Sequence, residues 1–193
     1  MGTSHYRPCG PDARTRAGRG GESTAASRGT NLGRDDGPNA HRAAATYAGA
    51  MDKVRSISVS RVINASPAVI FDLLADPSQH PRLDGSSTVR RVRHAPERLF
   101  LGATFSMDMK AGLHYFTRNK VVAFEEFKCI AWHHFAQFVW RYDLEEVPGG
   151  TKVTESFDYD RPWAFAIILL GFPEKNRVSM ERTLERLEAI VTS

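Results

Sequence analysis

The stretch EKNRVSMERTLERLEAIVTS, residues 174–193, decides the fold. Met180, Leu184, Leu187 and Val191 recur at spacings of four, three and four and so share one face of an α-helix. Glu181, Arg182, Glu185, Arg186 and Glu188 fall mostly on the other faces. Pro173 and Glu174 suit the first turn, where amides lack intrahelical partners and carry positive partial charge. At about 1.5 Å per residue such a helix runs to roughly 30 Å, enough to cross a small domain. A helix with one apolar face must cover something, and nearly everything from Val89 to Tyr159 reads as strand, so the covered surface is a sheet.

Upstream of that sheet, residues 54–63 form a first strand. Asn64, Ala65, Ser66 and Pro67 end it and start a helix, with Ser66 able to cap the free amides and Pro67 suited to the first helical position. Val69, Ile70, Leu73 and Leu74 give this helix an apolar face, with Phe71 beside them. Asp76 and Pro77 stop it, and residues 78–83 make a short second helical turn. Further strands are expected at 87–94, 105–109, 116–124 and 128–135. Residues 138–147 and 151–159 form a hairpin turned by Pro148, Gly149 and Gly150, whose glycines can adopt positive φ. Short connections make the sheet antiparallel, so one face can be buried and the other wet.

Several of these segments together are similar to a known family. The run VSRVINASPAVIFDLLADP at 59–77, followed by His80 and Pro81, resembles the opening of the polyketide cyclase/dehydrase branch of the START-like, or SRPBCC, superfamily. IAW at 130–132, WRYDLE at 140–145, GTKVTE at 150–155 and TLERL at 183–187 extend the resemblance over residues 51–193. It implies an α+β helix-grip fold: a curved antiparallel sheet of about seven strands wrapped around a long C-terminal helix, with two short helices after the first strand. A ligand cavity between sheet and helix is implied with it, in a superfamily whose roles range from lipid carriage to aromatase/cyclase chemistry and include protein-interaction modules. Leu83 stands where relatives usually carry Trp.

Strand alternation names the residues facing that cavity. Phe105, Met107 and Met109 share one parity, as do Trp140, Tyr142 and Leu144, and Val153, Glu155, Phe157 and Tyr159. In residues 128–135 both parities are nearly equally apolar, and the resemblance selects Ile130, Trp132 and His134 over Cys129, Ala131, His133 and Phe135. The register of 116–124 stays open. With Met180 and Leu184 from the closing helix, these aromatic and methionine side chains suit a pocket for a hydrophobic small molecule, lipid-like or polyketide-like.

The polar exceptions on this face are Glu155, His134, Tyr142 and Tyr159. A buried carboxylate costs several kcal/mol unless paired or protonated, so Glu155 needs a partner or a shifted pKa. Binding and carriage without catalysis is the first reading. The alternative is an aromatase/cyclase in which Glu155 or His134 moves protons and Tyr142 polarises a carbonyl. No metal is expected: His133 and His134 point to opposite faces of one strand, and His80, His94 and His114 lack a ligand-like companion. Nucleophile-elbow, phosphate-loop and Cys-x-x-Cys motifs are missing from the sequence, and no cofactor is implied. Residues 163–172 are too apolar for an ordinary loop and suggest a buried segment, a lid or a transient membrane contact.

Charge is unevenly spread along the 193 residues. Seven arginines and four acidic residues put +3 of the formal +4 in residues 1–50, against 19 basic and 18 acidic residues from Met51 onward. The domain itself therefore gives no reason to expect nucleic acid. Residues 1–50 have Leu32 as their only large aliphatic residue and read as a disordered basic leader or upstream extension. With just two cysteines, Cys9 and Cys129, a disulfide is not expected, and a reducing cytoplasm fits better. The assembly state expected is a monomer or dimer.

Overall fold

Seven strands form one antiparallel sheet in the order β1-β7-β6-β5-β4-β3-β2. The computed structural model describes Cys9 and residues 55–134, 137–159, 164 and 168–193. Along the chain these give β1 (Ser56–Ile63), α1 (Pro67–Ala75), a 3-10 turn (Pro77–Gln79) and α2 (His80–Leu83). Then follow β2 (Val89–His94), β3 (Thr104–Ala111), β4 (Leu113–Glu125), β5 (Cys129–His133), β6 (Val139–Val147), β7 (Gly150–Asp158) and α3 (Phe172–Val191). This is the helix-grip arrangement, with α3 lying along β1 and over the sheet.

Local chemistry sets the element boundaries. Ser66 Oγ accepts from the Val69 amide at 3.4 Å and Pro67 opens α1, while Asp76 Oδ1 accepts from the Ser78 amide at 2.8 Å and starts the next turn. In the β6–β7 hairpin Gly149 and Gly150 take φ of 93° and 136°, which only glycine adopts without strain. A Cβ on Gly150 would also lie 2.1 Å from the Ile63 carbonyl oxygen, so the turn tucks against the end of β1.

One helical face differs from expectation. Ile70, Phe71, Leu74 and Ala75 are the buried residues of α1, whereas Val69 is exposed. The helix is rolled so that Phe71 enters the core, meeting the ring edges of Phe124 at 5.2 Å and Phe127 at 5.9 Å. On α3, Met180, Thr183, Leu184 and Leu187 are buried, and Val191 packs at the margin of the core.

The register of β4 is now defined. Val121 pairs with Trp132, the ladder slips between Val121 and Ala123, and Phe124 pairs with Ile130. This bulge at Val122 returns Phe124 to the face that carries Val121, Asn119 and Thr117. Broken alternation is why the strand gave no clear parity.

The cysteine expectation is corrected. Cys9 and Cys129 form a disulfide with Cα atoms 5.9 Å apart. Cys129 lies on the outer sheet face in a cluster with Ala123 and Ala131, whose small side chains leave room for Cys9. A separation of 120 residues leaves no local signal for such a pairing. The cysteines therefore no longer argue for a reducing compartment. The other residues of the expected leader, and residues 163 and 165–167 of the apolar run, lie outside the described residues. No helix among the described residues is long and apolar enough to cross a membrane.

Candidate functional site

Four elements contribute to one line of side chains across the helix-covered face. The His80 ring of α2 stacks on Trp132 of β5 at 5.3 Å, and Trp132 lies 5.7 Å from the ring of Tyr142 on β6. The Tyr142 hydroxyl donates to Glu155 Oε1 of β7 at 2.9 Å. Tyr142 and Glu155 are direct cross-strand partners, so the alternation that points both inward also sets them side by side. Phe105 closes the group from β3, edge-on to both His80 and Trp132.

The polar members of this line are held uncharged. Glu155 is buried, and its Oε2 has no hydrogen-bond partner among the described residues. Burial pushes its carboxyl up to about 8, with the Asp84 carboxylate adding to the effect and the Tyr142 hydrogen bond opposing it. Burial likewise holds the Tyr142 phenol well above its ordinary range. His80 Nε2 donates to the Leu74 carbonyl at 2.9 Å, which leaves Nδ1 as an acceptor, and burial lowers the pKa of the ring. At neutral pH the result is a neutral acid, a neutral phenol and a neutral imidazole among aromatic rings.

The twelve side chains expected at the site divide into two groups. Phe105, Met107, Met109, Trp132, Tyr142 and Leu184 belong to the main core cluster, and Glu155 is tied to it through Tyr142. Phe157, Met180, Trp140 and Tyr159 form a second cluster with Phe138, in which the Trp140 and Phe157 rings lie 4.5 Å apart. His134 goes with this second group through an edge-on contact with Phe138 at 5.8 Å. Burial and the neighbouring His133 bring the pKa of His134 down to about 4. Of the three candidate catalytic residues, Glu155 and Tyr142 are hydrogen-bonded to each other, and His134 packs with the other cluster.

Two participants went unnoticed at the sequence level. His80 carries no sequence signal beyond its place in the His80-Pro81 motif. Asp84 sits in a polar turn whose function is visible only in three dimensions: its carboxylate accepts from the amides of Ser86, Thr88 and Val89. That turn is fastened to α3. The Gly85 amide donates to Thr183 Oγ1 at 3.0 Å, and the Arg186 guanidinium donates to the Asp84 carbonyl and to Ser87 Oγ. A Cβ at Gly85 would stand 2.1 Å from the Ser179 carbonyl oxygen, so glycine alone allows this approach.

Beyond the second cluster the molecule presents apolar side chains to solvent. His133 of β5 pairs with Lys120, so residues 113–119 of β4 run past the end of β5, and Leu113, Tyr115 and Phe116 are exposed there. Phe157, in the last turn of the ladder before Tyr159, packs with Met180, which places the start of α3 beyond the same end of the sheet. Ile168, Leu169, Leu170 and Phe172 are exposed at that start, Leu169 to 87%. Arg93 lies over the Phe116 ring and Lys175 over that of Phe172. An open groove of about 430 Å³ between α1 and the end of α3, lined by Val69, Asp72, Leu73, Asp76, Ile190 and Val191, shares no residue with the expected site.

Comparison with known proteins agrees with this architecture. The Mycobacterium tuberculosis protein Rv0088 is 36% identical over 138 residues, which cover 68% of this chain. The chain spans 62% of that relative's length. Protein NE0264 from Nitrosomonas europaea superposes with a TM-score of 0.59 at 12% identity, covering 74% of this chain and 97% of that one. The di-domain ARO/CYC StfQ of the steffimycin biosynthetic pathway gives 0.57 at 14% identity, covering 78% of this chain and 55% of that one. Residues 54–192 match the family described as polyketide cyclase / dehydrase and lipid transport, of the START-like superfamily, and the chain belongs to it.

Proposed function

We propose that the protein binds and carries a hydrophobic small molecule, lipid-like or polyketide-like, between α3 and the sheet. The observation that carries the reading is the chemistry of the covered face. This face gathers Trp132, Trp140, Phe157, Met107 and Met180 around a buried, uncharged polar pair, the combination of broad apolar surface and few polar groups that ligand pockets use. Trp132, Trp140 and Tyr159 are only partly buried, which leaves aromatic surface for a guest. The exposed residues 168–172 and the β3–β4 hairpin tip form the apolar lip at which such a molecule would pass between protein and membrane. Native mass spectrometry of the purified chain is the test. A co-purified apolar compound released on unfolding is the expected result. A chain that carries nothing and fails to quench or displace any hydrophobic fluorophore would refute carriage.

Aromatase/cyclase chemistry is the second reading, favoured by one observation: a buried acid that keeps its proton at neutral pH beside a phenol is a competent general acid. Turnover of a candidate polyketide that survives Glu155→Gln would remove it.

A further inference from the structure

We propose that the chain docks on anionic bilayers through the tip of the β3–β4 hairpin and the basic outer face of β2–β4 behind it. The proposal goes beyond the reading that a guest is carried and takes nothing from it: the contact would form whether or not the interior is filled.

Two adjacent surfaces meet at this edge of the sheet. Leu113, Tyr115 and Phe116 are exposed at the hairpin tip, Leu113 to 81%. The ladder fixes what stands behind them. Arg91, Asp108 and Phe116 are in register across β2, β3 and β4, and the alternation that turns Met107 and Thr117 inward turns this row to the outer face. The same parity carries Lys110, Arg118 and Lys120 outward, and all three are exposed. Arg93 joins them, with its guanidinium 4.6 Å over the Phe116 ring, and Arg118 lies over the same ring at 5.6 Å.

Positive charge is concentrated on this face. Asp108 is the sole acidic residue of β2, β3 and residues 113–120, whereas residues 51–193 as a whole hold 19 basic and 18 acidic residues. Asp108 accepts from Arg91 Nε at 2.7 Å and lies 3.6 Å from Arg93 Nη1, which holds both guanidiniums over the face without neutralising it. A guanidinium has five N–H donors, and the Arg91 side chain stays 79% exposed. Like charges gathered this closely repel one another, and a dense array of negative groups relieves them. The apolar tip decides which array fits. A bilayer with acidic headgroups offers phosphate oxygens to the cations and a hydrocarbon boundary to Leu113. A nucleic acid would satisfy the cations but leave Leu113 in water, and the Phe116 ring on which a base would stack is already covered by Arg93 and Arg118.

The test uses the full chain and extruded vesicles, of phosphatidylcholine alone or with about 30% phosphatidylglycerol, read by co-sedimentation. At about 50 mM salt the anionic vesicles should bind at least tenfold more tightly than the neutral ones, and the difference should collapse at about 500 mM, where screening acts within roughly 5 Å. Lys110→Gln combined with Arg118→Gln should weaken binding about twentyfold, at roughly fivefold per cation. Lys128→Gln combined with Lys152→Gln makes the same charge change at the opposite end of the sheet and should weaken it less than about threefold. Leu113→Ser should weaken it about fivefold. Equal binding to the two kinds of vesicle, equal losses in the two double variants, or full binding by Leu113→Ser would overturn the docking face. Tighter binding of a single-stranded oligonucleotide than of anionic vesicles, lost in the Lys110 and Arg118 variant, would overturn it in favour of nucleic acid. Should a variant not fold, the wild type decides: affinity for anionic vesicles that is unchanged by salt would sink the proposal. A co-purified guest without vesicle binding would remove this face and leave carriage standing, while vesicle binding by an empty chain would support the face alone.

Discussion

The covered face has two ends built on different rules. At the end near Ile63, α1 and the last turns of α3, the side chains are Ile63, Ile70, Leu74, Val153 and Leu187, all at 1% exposure or less. At the end near Phe157 and Tyr159 they are aromatic rings and Met180, and beyond them the chain exposes Leu113, Phe116 and Leu169. Branched aliphatic groups interlock and leave nothing for a guest, which suits the end that holds the domain together. Flat rings and a flexible thioether slide past one another at modest cost, which suits the proposed carriage of a guest at that end. Glu155 and Tyr142 sit where the two meet.

The contrast can be broken most decisively by paired truncations. Leu74→Ala at the aliphatic end should cost about 4 kcal/mol in urea denaturation, the usual toll for a fully buried leucine, while Trp140→Leu at the aromatic end should cost about 1 kcal/mol. Equal losses would mean that both ends are ordinary core.

At the boundary, pH supplies the next test. Glu155 has its folded-state pKa raised from 4.5 to about 8, so the folded state holds the proton more tightly and stability falls as pH rises from about 4.5 to 8. The whole fall is on the order of 5 kcal/mol. His134 has the opposite sign: its value drops from 6.5 to about 4, so its contribution is present above 6.5 and is lost as pH falls towards 4. Glu155→Gln should remove the alkaline fall and leave the acid one, read as melting temperature against pH. A wild type whose melting temperature is flat between pH 5 and 9 would show that Glu155 is not desolvated.

Smaller effects are expected at the margins. Thr183→Val deletes the acceptor for the buried Gly85 amide and should cost about 1–2 kcal/mol in urea denaturation. Leu169→Ser, at an 87% exposed position, should change stability by less than about 0.5 kcal/mol while slowing transfer of a fluorescent lipid from vesicles. A stability loss as large as that of Leu74→Ala would show that Leu169 belongs to the core.

How much of this was legible in the sequence depended on whether a local period survived into the fold. It did in β3, β6 and β7, where strict alternation put Met107, Tyr142 and Glu155 on the covered face, and in α3, where Met180, Leu184 and Leu187 are buried at helical spacing. It did not in β4, because the bulge at Val122 shifts the parity halfway along. In α1 the period was right and the phase was wrong: the size of Phe71 governs how the helix rolls, and Val69 is left in solvent. The His80 stack and the Cys9–Cys129 bond join residues far apart in the chain, and nothing in their neighbours' spacing announces them.

The close contact between Gly85 and α3 has a kinetic consequence. With Thr183 and Arg186 bonded to the same turn, this junction has no slack, and a side chain at position 85 could not be accommodated by a rotamer change. On the proposed carriage, passage of a guest would then be timed by the overhanging tip of the β3–β4 hairpin, which adjoins this turn through the bond from the Lys110 amide to the Thr88 carbonyl. Amide exchange should be slow at Gly85 and fast at the hairpin tip around Gly112, and the residence time of a guest should follow the second rate rather than the first.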